Sequence, residues 1–182
     1  DSSRLIEAVR ALTDRGNSVL VVEHDPECIL AADHIIELGP LAGASGGDVV
    51  FSGPTERWTG LSAARHSSPS SSPIDPAGPK LTVPNASKRN LKHLSTAIPL
   101  NAFVCLTGVS GSGKSSLVDE VLMPAYAEWI ARQKLQAKGA RSAVLEESAA
   151  PLCSGFEHVQ EVLLIDQSPL AKSPRANIAT YT

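Results

Sequence analysis

An α/β fold is predicted for this 182-residue chain by three features of its sequence. Helix-like and strand-like segments alternate from residue 2 onward, the pattern of a sheet covered by helices. The strands are short β-branched runs of the kind that pair in parallel and are buried on both faces. One of them, "FVCLTG", runs through a glycine-rich loop straight into the helix-like "KSSLVDEVL".

In chain order, "SSRLIEAVRALTDRGNS" carries Leu5, Ile6, Val9 and Leu12 at helical spacing. Ser2 or Ser3 can cap this helix, and Gly16-Asn17 stops it. "SVLVVEHD" reads as a buried parallel strand. "DPECILAAD" is a short helix with Asp25 as N-cap and Pro26 in its first position. "HIIELG" and "DVVFSG" are strands joined by the glycine-rich "PLAGASGG", and "PTERW" can start one more helical turn. From Thr59 the composition changes. "SSPSSSPIDPAGP" has almost no large apolar residues to offset its ordering entropy and reads as a linker over 59–80. Beyond it, "KLTV" and "LKHLSTAIPL" read as edge strands, the second alternating at Leu94, Thr96 and Ile98. Residues 99–102 form a turn that leads into "FVCLTG".

Composition narrows the class. With 42% hydrophobic and 19% charged residues the chain can bury a core. A net charge of -3 gives no polybasic signal for nucleic acid or anionic lipid, although a local basic groove stays open. The longest apolar run is about five residues, far short of a bilayer span, and no secretory signal opens the chain. Cys28, Cys105 and Cys153 include no CxxC pair, so no zinc motif lies in this window. Cys28 and Cys105 fit small buried hydrophobes, and the odd, irregular set fits a reducing, cytoplasmic setting. Asp1 in place of an initiating Met, and a polar run up to Thr182, read as a piece of a longer protein.

The motif with most chemistry is Gly108-x-x-x-x-Gly113-Lys114-Ser115, a phosphate-loop pattern. Its four fixed positions match by chance roughly once in a couple of hundred such chains, before the strand and helix flanks are considered. Glycines let the backbone wrap an anion with its N–H groups turned inward. The following helix aims its positive end at the same place. Lys114 would reach the β- and γ-phosphates and Ser115 would offer a hydroxyl to Mg²⁺, with Gly108, Ser110, Gly111, Ser112, Gly113 and Ser116 forming the cradle. The bland alternative is a turn with an exposed lysine.

"GVSGSGKSSL" resembles the loop of ABC-type ATPases, and more narrowly that of the UvrA family. "VLLIDQSPLAKSPRANIATYT" is similar to the UvrA stretch after the second phosphate loop, with Ala176 and Ile178 where the family reads Ser and Pro. "GNSVLVVEHDPECILAADHIIELGP" resembles the end of UvrA's first ATPase module. "NLKHLSTAIPL" resembles the strand that opens the second, Asn101 standing where relatives carry Gly. The resemblance implies parts of two ABC-type P-loop modules: 1–58 ends the first, 59–80 links them, and 81–182 begins the second.

It also implies roles. Lys114 and Ser115 would hold MgATP, and Gln167 would be the Q-loop glutamine that touches the metal. His24 would be the switch histidine of the first module, beside a different ATP from the one at Lys114. Without the resemblance, His24 reads as an ordinary histidine at a strand end, Gln167 as an ordinary polar residue, and Asp166 after "VLLI" as a possible magnesium-holding acid of a compact P-loop kinase. For the whole protein the family implies ATP hydrolysis, recognition of damaged duplex DNA in nucleotide excision repair, homodimerisation, a UvrB-like helicase partner, and zinc modules outside this window. A fragment without the catalytic base is expected to be inactive alone. A UvrA-like paralogue of drug tolerance, a transporter ATPase and an ATP-holding scaffold remain alternatives. The clusters Lys88, Arg89, Lys92 and Lys172, Arg175 fit a solvated face better than a phosphate contact.

Overall fold

The computed structural model describes residues 2–60, 74–137 and 153–165. Helix α1 (Ser2–Thr13) is followed by β1 (Val19–Val22), α2 (Pro26–Ala31), β2 (His34–Gly39) and β3 (Asp48–Pro54). After the Ser/Pro-rich stretch come β4 (Lys80–Ala86), β5 (Leu94–Pro99) and β6 (Phe103–Gly108). Helix α3 (Lys114–Leu117) continues through a π-helical turn (Val118–Leu122) into α4 (Met123–Ala137).

Four strands form one sheet in the order β1-β6-β2-β3, and β4 and β5 form a separate antiparallel pair. β6 lies parallel to both β1 and β2, with Val22 opposite Leu106 and Leu38 opposite Gly108. β3 returns antiparallel along β2. Strands from both sides of the Ser/Pro-rich stretch therefore share one sheet.

The alternation of side chains explains why β6 is central. Phe103 and Cys105 point to one face, where they pack with Val9, Cys28, Ile29, Ala32 and Ile35 beneath α1 and α2. Val104 and Leu106 point to the other, where they meet Ile36, Leu38, Leu94, Ile98, Leu117 and Val121. A strand covered on both faces needs the unbroken apolar run that "FVCLTG" supplies. Each fully buried side chain of this size contributes about 1.5–3 kcal/mol. β1 is less buried than its β-branched run predicts: Val19, Leu20 and Val21 are half-buried and Val22 is 37% exposed. The reason is its place at the sheet edge, with β6 as its neighbour.

Local chemistry sets the remaining elements. Asp25 caps α2, accepting from the Glu27 N–H at 2.9 Å, and Pro26 opens the helix. Gly16 ends α1 at φ 82, and its N–H donates to Thr13 O at 2.9 Å. β5 buries Leu94, Thr96 and Ile98 as its alternation predicts. Asn101 takes φ 54 in the turn before β6, a left-handed conformation that asparagine tolerates. Pro84 sits in β4 at an irregularity in the β4–β5 register, where a missing N–H costs no ladder bond. The π-turn ends two residues before Pro124, which has no N–H to give the preceding turn. "PTERW" forms a single 3₁₀ turn at Thr55–Arg57.

Residues 161–165, "EVLLI", show no strand: Leu163 is 80% and Ile165 81% exposed, and the Val162 N–H donates to the Tyr126 hydroxyl at 3.3 Å. An apolar run becomes a strand only beside a partner strand, and none of the described strands pairs with this one.

Candidate functional site: the loop between β6 and α3

Three glycines with positive φ shape the segment between β6 and α3: Gly108 (132°), Gly111 (77°) and Gly113 (111°). At Gly108 a Cβ would stand 2.1 Å from Leu38 O, so only glycine lets β6 end this close to β2. Gly113 is the left-handed N-cap of α3, and its carbonyl accepts from the Leu117 N–H at 2.9 Å. Between them the Ser112 N–H closes a turn onto Val109 O at 3.1 Å. The loop thus curls at the mouth of the helix, the end of a helix whose first N–H groups have no intrahelical partner.

Lys114 lies across this loop. Its Nζ donates to Gly108 O at 2.7 Å and Val109 O at 2.9 Å. Burial lowers its pKa from the ordinary lysine value. An ammonium that is partly desolvated and held only by neutral carbonyls gains most from an anion. Ser112 is fully buried and its Oγ has no hydrogen-bond partner. Ser110 and Ser115 are exposed, and Ser116 is half-buried.

The loop is braced by residues whose sequence gives only a weak signal. The Gly43 N–H donates to Gly111 O at 3.0 Å and the Gly47 N–H to Ser112 O at 3.1 Å, both from the β2–β3 connection. Asn90 Nδ2 also donates to Gly111 O, at 3.0 Å. The Lys92 N–H returns to Gly47 O at 3.2 Å. In sequence, "GASGG" reads as a flexible connection and Asn90 as one polar residue before a strand. The signal that could have marked them is the Gly46-Gly47 pair: a Cβ at Gly47 would stand 1.7 Å from Asn90 O.

His24 follows β1, and the preceding Glu23 N–H donates to Leu106 O at 3.2 Å. Parallel pairing of β1 with β6 therefore puts His24 at the same end of the sheet as the loop. Its side chain is 91% exposed, with Nδ1 3.8 Å from Glu23 Oε2. β1, which leads to His24, pairs with β6, which leads to the loop of Lys114. Asp166, Gln167, Lys172 and Arg175 lie outside the described residues. Of the first basic cluster, Arg89 pairs with Glu120 across the loop-to-helix surface.

Among the described residues no three His, Cys, Asp or Glu side chains gather as a metal site, and no helix is long and apolar enough to cross a membrane. An open cleft of about 560 Å³, lined by Pro79, Lys80, Thr82, Ser154, Glu157 and His158 among others, lies along β4 and does not include the loop.

No known family profile matches the chain. Curated proteins do. The chain is 41% identical over 191 residues to UvrABC system protein A of Methanothermobacter thermautotrophicus, which covers 100% of the chain and 19% of that protein. It is 42% identical over 191 residues to the Aquifex aeolicus protein of the same name, covering 100% of the chain and 20% of that protein. The Escherichia coli K12 protein is 40% identical over 193 residues, again with 100% and 20% coverage. The crystal structure of UvrA2 from Deinococcus radiodurans aligns with 68% of the chain and 16% of its own, at 40% identity and a TM-score of 0.31. The chain spans about a fifth of the length of these curated relatives. Aligned with them from end to end, this α/β chain belongs to the UvrA family.

Proposed function

We propose that the chain is part of an ATP-hydrolysing, UvrA-like subunit of nucleotide excision repair and that it holds MgATP through residues 108–116. The observation that supports this most is Lys114 lying over a loop of three positive-φ glycines between a buried strand and a helix. The residues present fit a triphosphate. Lys114 offers a partly desolvated charge, and Ser112 a buried hydroxyl with no partner. Ser115 would hold Mg²⁺, with Gln167 as a second ligand. Bound Mg²⁺ neutralises charge on the phosphate oxygens, and the rest of the work is positioning. Gly108, Ser110, Gly111, Ser112, Gly113 and Ser116 wrap the phosphates, while Lys114 leaves its carbonyls for them.

In the finer reading, residues 1–58 end one ABC module, 59–80 link, and 81–182 begin a second. His24 is a switch histidine facing a γ-phosphate. The whole protein would dimerise, scan duplex DNA for damage and load a UvrB-like helicase. The general base and the opposing signature segment are not among the motifs of this chain, so its own turnover is negligible.

Titration of the purified 182-residue chain with a fluorescent ATP analogue and Mg²⁺ tests the reading. Saturable binding lost in Lys114→Ala, without steady-state hydrolysis, is expected. Brisk turnover abolished by the same substitution would instead mark a self-contained P-loop enzyme. Absence of any binding by a folded chain would refute the nucleotide site.

A further inference from the structure

We propose that Asn90 is a positioning residue that sets the phosphate loop in its anion-receiving shape; this rests on the nucleotide reading above. For a loop to turn its N–H groups inward, its carbonyls must turn outward, and each then needs a donor. Gly113 O takes the Leu117 N–H at 2.9 Å in the first turn of α3, and the donors to four more carbonyls include two kinds. Gly108 O and Val109 O are held by Lys114 Nζ at 2.7 and 2.9 Å. Those bonds end when the ammonium turns to a phosphate, and Val109 O keeps the Ser112 N–H at 3.1 Å. Gly111 O and Ser112 O are held from outside the loop. Gly111 O accepts from both the Gly43 N–H and Asn90 Nδ2, each at 3.0 Å, and Ser112 O accepts from the Gly47 N–H at 3.1 Å. Nothing in this second set needs to change when an anion enters.

Asn90 is the one side chain among these outside donors. Facing a carbonyl, only its amide nitrogen can make the bond, so the orientation of the amide is fixed by chemistry. It also connects the parts. A Cβ at Gly113 would stand 3.3 Å from Asn90 Oδ1 and 2.7 Å from Leu91 Cδ2, and a Cβ at Gly47 would stand 1.7 Å from Asn90 O. The Asn90–Leu91 backbone therefore packs against the β2–β3 connection, and the side chains of the same two residues pack against the N-cap of α3. Asn90 holds the far half of the loop while Lys114 changes partners in the near half.

The experiment is titration of a fluorescent ATP analogue with Mg²⁺ into the 182-residue chain and three variants. Asn90→Asp has the same shape but replaces the donor by a charged acceptor; about tenfold weaker binding is expected. Asn90→Ala removes the donor and should weaken binding about fivefold. Asn90→Gln keeps an amide at a half-exposed position and should restore most of the affinity. The thermal midpoint without nucleotide should stay close to that of the parent in all three. The amide nitrogen resonance of Ser112, whose peptide group contains the Gly111 carbonyl, should shift in Asn90→Asp and Asn90→Ala and return in Asn90→Gln. If Asn90→Asp fails to fold, the Ala and Gln pair decides. Parent and variants binding equally would overturn this role alone. A folded parent that binds no nucleotide overturns the underlying reading and this role with it.

Discussion

Asp33 and Phe103 hold each other through two hydrogen bonds. The Asp33 N–H donates to Phe103 O at 2.8 Å, and the Phe103 N–H donates to Asp33 Oδ2 at 2.7 Å. The other carboxylate oxygen takes Arg10 Nη1 at 2.6 Å, and the Asp33 carbonyl accepts the Thr55 N–H at 3.3 Å. One carboxylate, 8% exposed, thus ties α1, the start of β2 and the start of β6 together. It fixes where β6 begins, and hence where β6 delivers Gly108.

Asp33→Ala should therefore cost far more than a surface change. It strands the Phe103 N–H and leaves Arg10 beside an apolar ring, 5.5 Å above the centre of Phe103. Breaking a paired, largely buried charge with one further hydrogen bond costs about 3 kcal/mol. Urea unfolding followed by circular dichroism would measure it. A loss under about 1 kcal/mol would show that the junction is not closed in solution.

The shared sheet makes a second expectation. β1 and β2 precede the Ser/Pro-rich stretch, and β6 between them follows it. Cleavage at a protease site inserted within 61–73 should leave the two pieces bound, eluting together in size exclusion. Pieces that part without denaturant would show that the halves belong to separate modules, each completed by strands outside this chain. The cleavage thus bears directly on the division proposed at 59–80.

Much of this was readable in the sequence because it rests on local chemistry. Asp25 and Pro26 start α2, Gly16 stops α1, Leu94, Thr96 and Ile98 set the buried face of β5, and the glycine spacing at 108–113 sets the loop. What escaped depends on long-range pairing. A β-branched run does not say whether it will be central or an edge, so Val22 read as buried. Nor does "EVLLI" say whether a neighbour strand will receive it. Asn90 and Gly47 escaped because their role is to face carbonyls that other parts of the chain present. Leu5 and Leu12 keep helical spacing yet are 40% and 44% exposed, since α2 covers α1 only along the Val9 side.

The last expectation concerns pH and Lys114. Burial in the loop lowers its pKa below the ordinary 10.5. For a base, a lowered value means the folded chain holds the proton less tightly than the unfolded chain. In the window between the folded and unfolded values the unfolded state binds more protons, so stability of the free chain rises with pH there. Nucleotide binding should run the other way. A phosphate beside the ammonium favours the charged form, so above the free chain's value each binding event takes up a proton. Affinity for the ATP analogue should decline as pH rises, beginning below the range of a surface lysine. The decline should approach tenfold per pH unit once Lys114 is neutral in the free chain. Lys114→Arg, whose guanidinium stays charged, should bind more weakly throughout because the fork fits the loop poorly, but its affinity should not fall up to about pH 10. Fluorescence titrations of both chains across that range decide the matter. A parent affinity that stays level to the alkaline end would mean that Lys114 does not carry the charge on which binding depends.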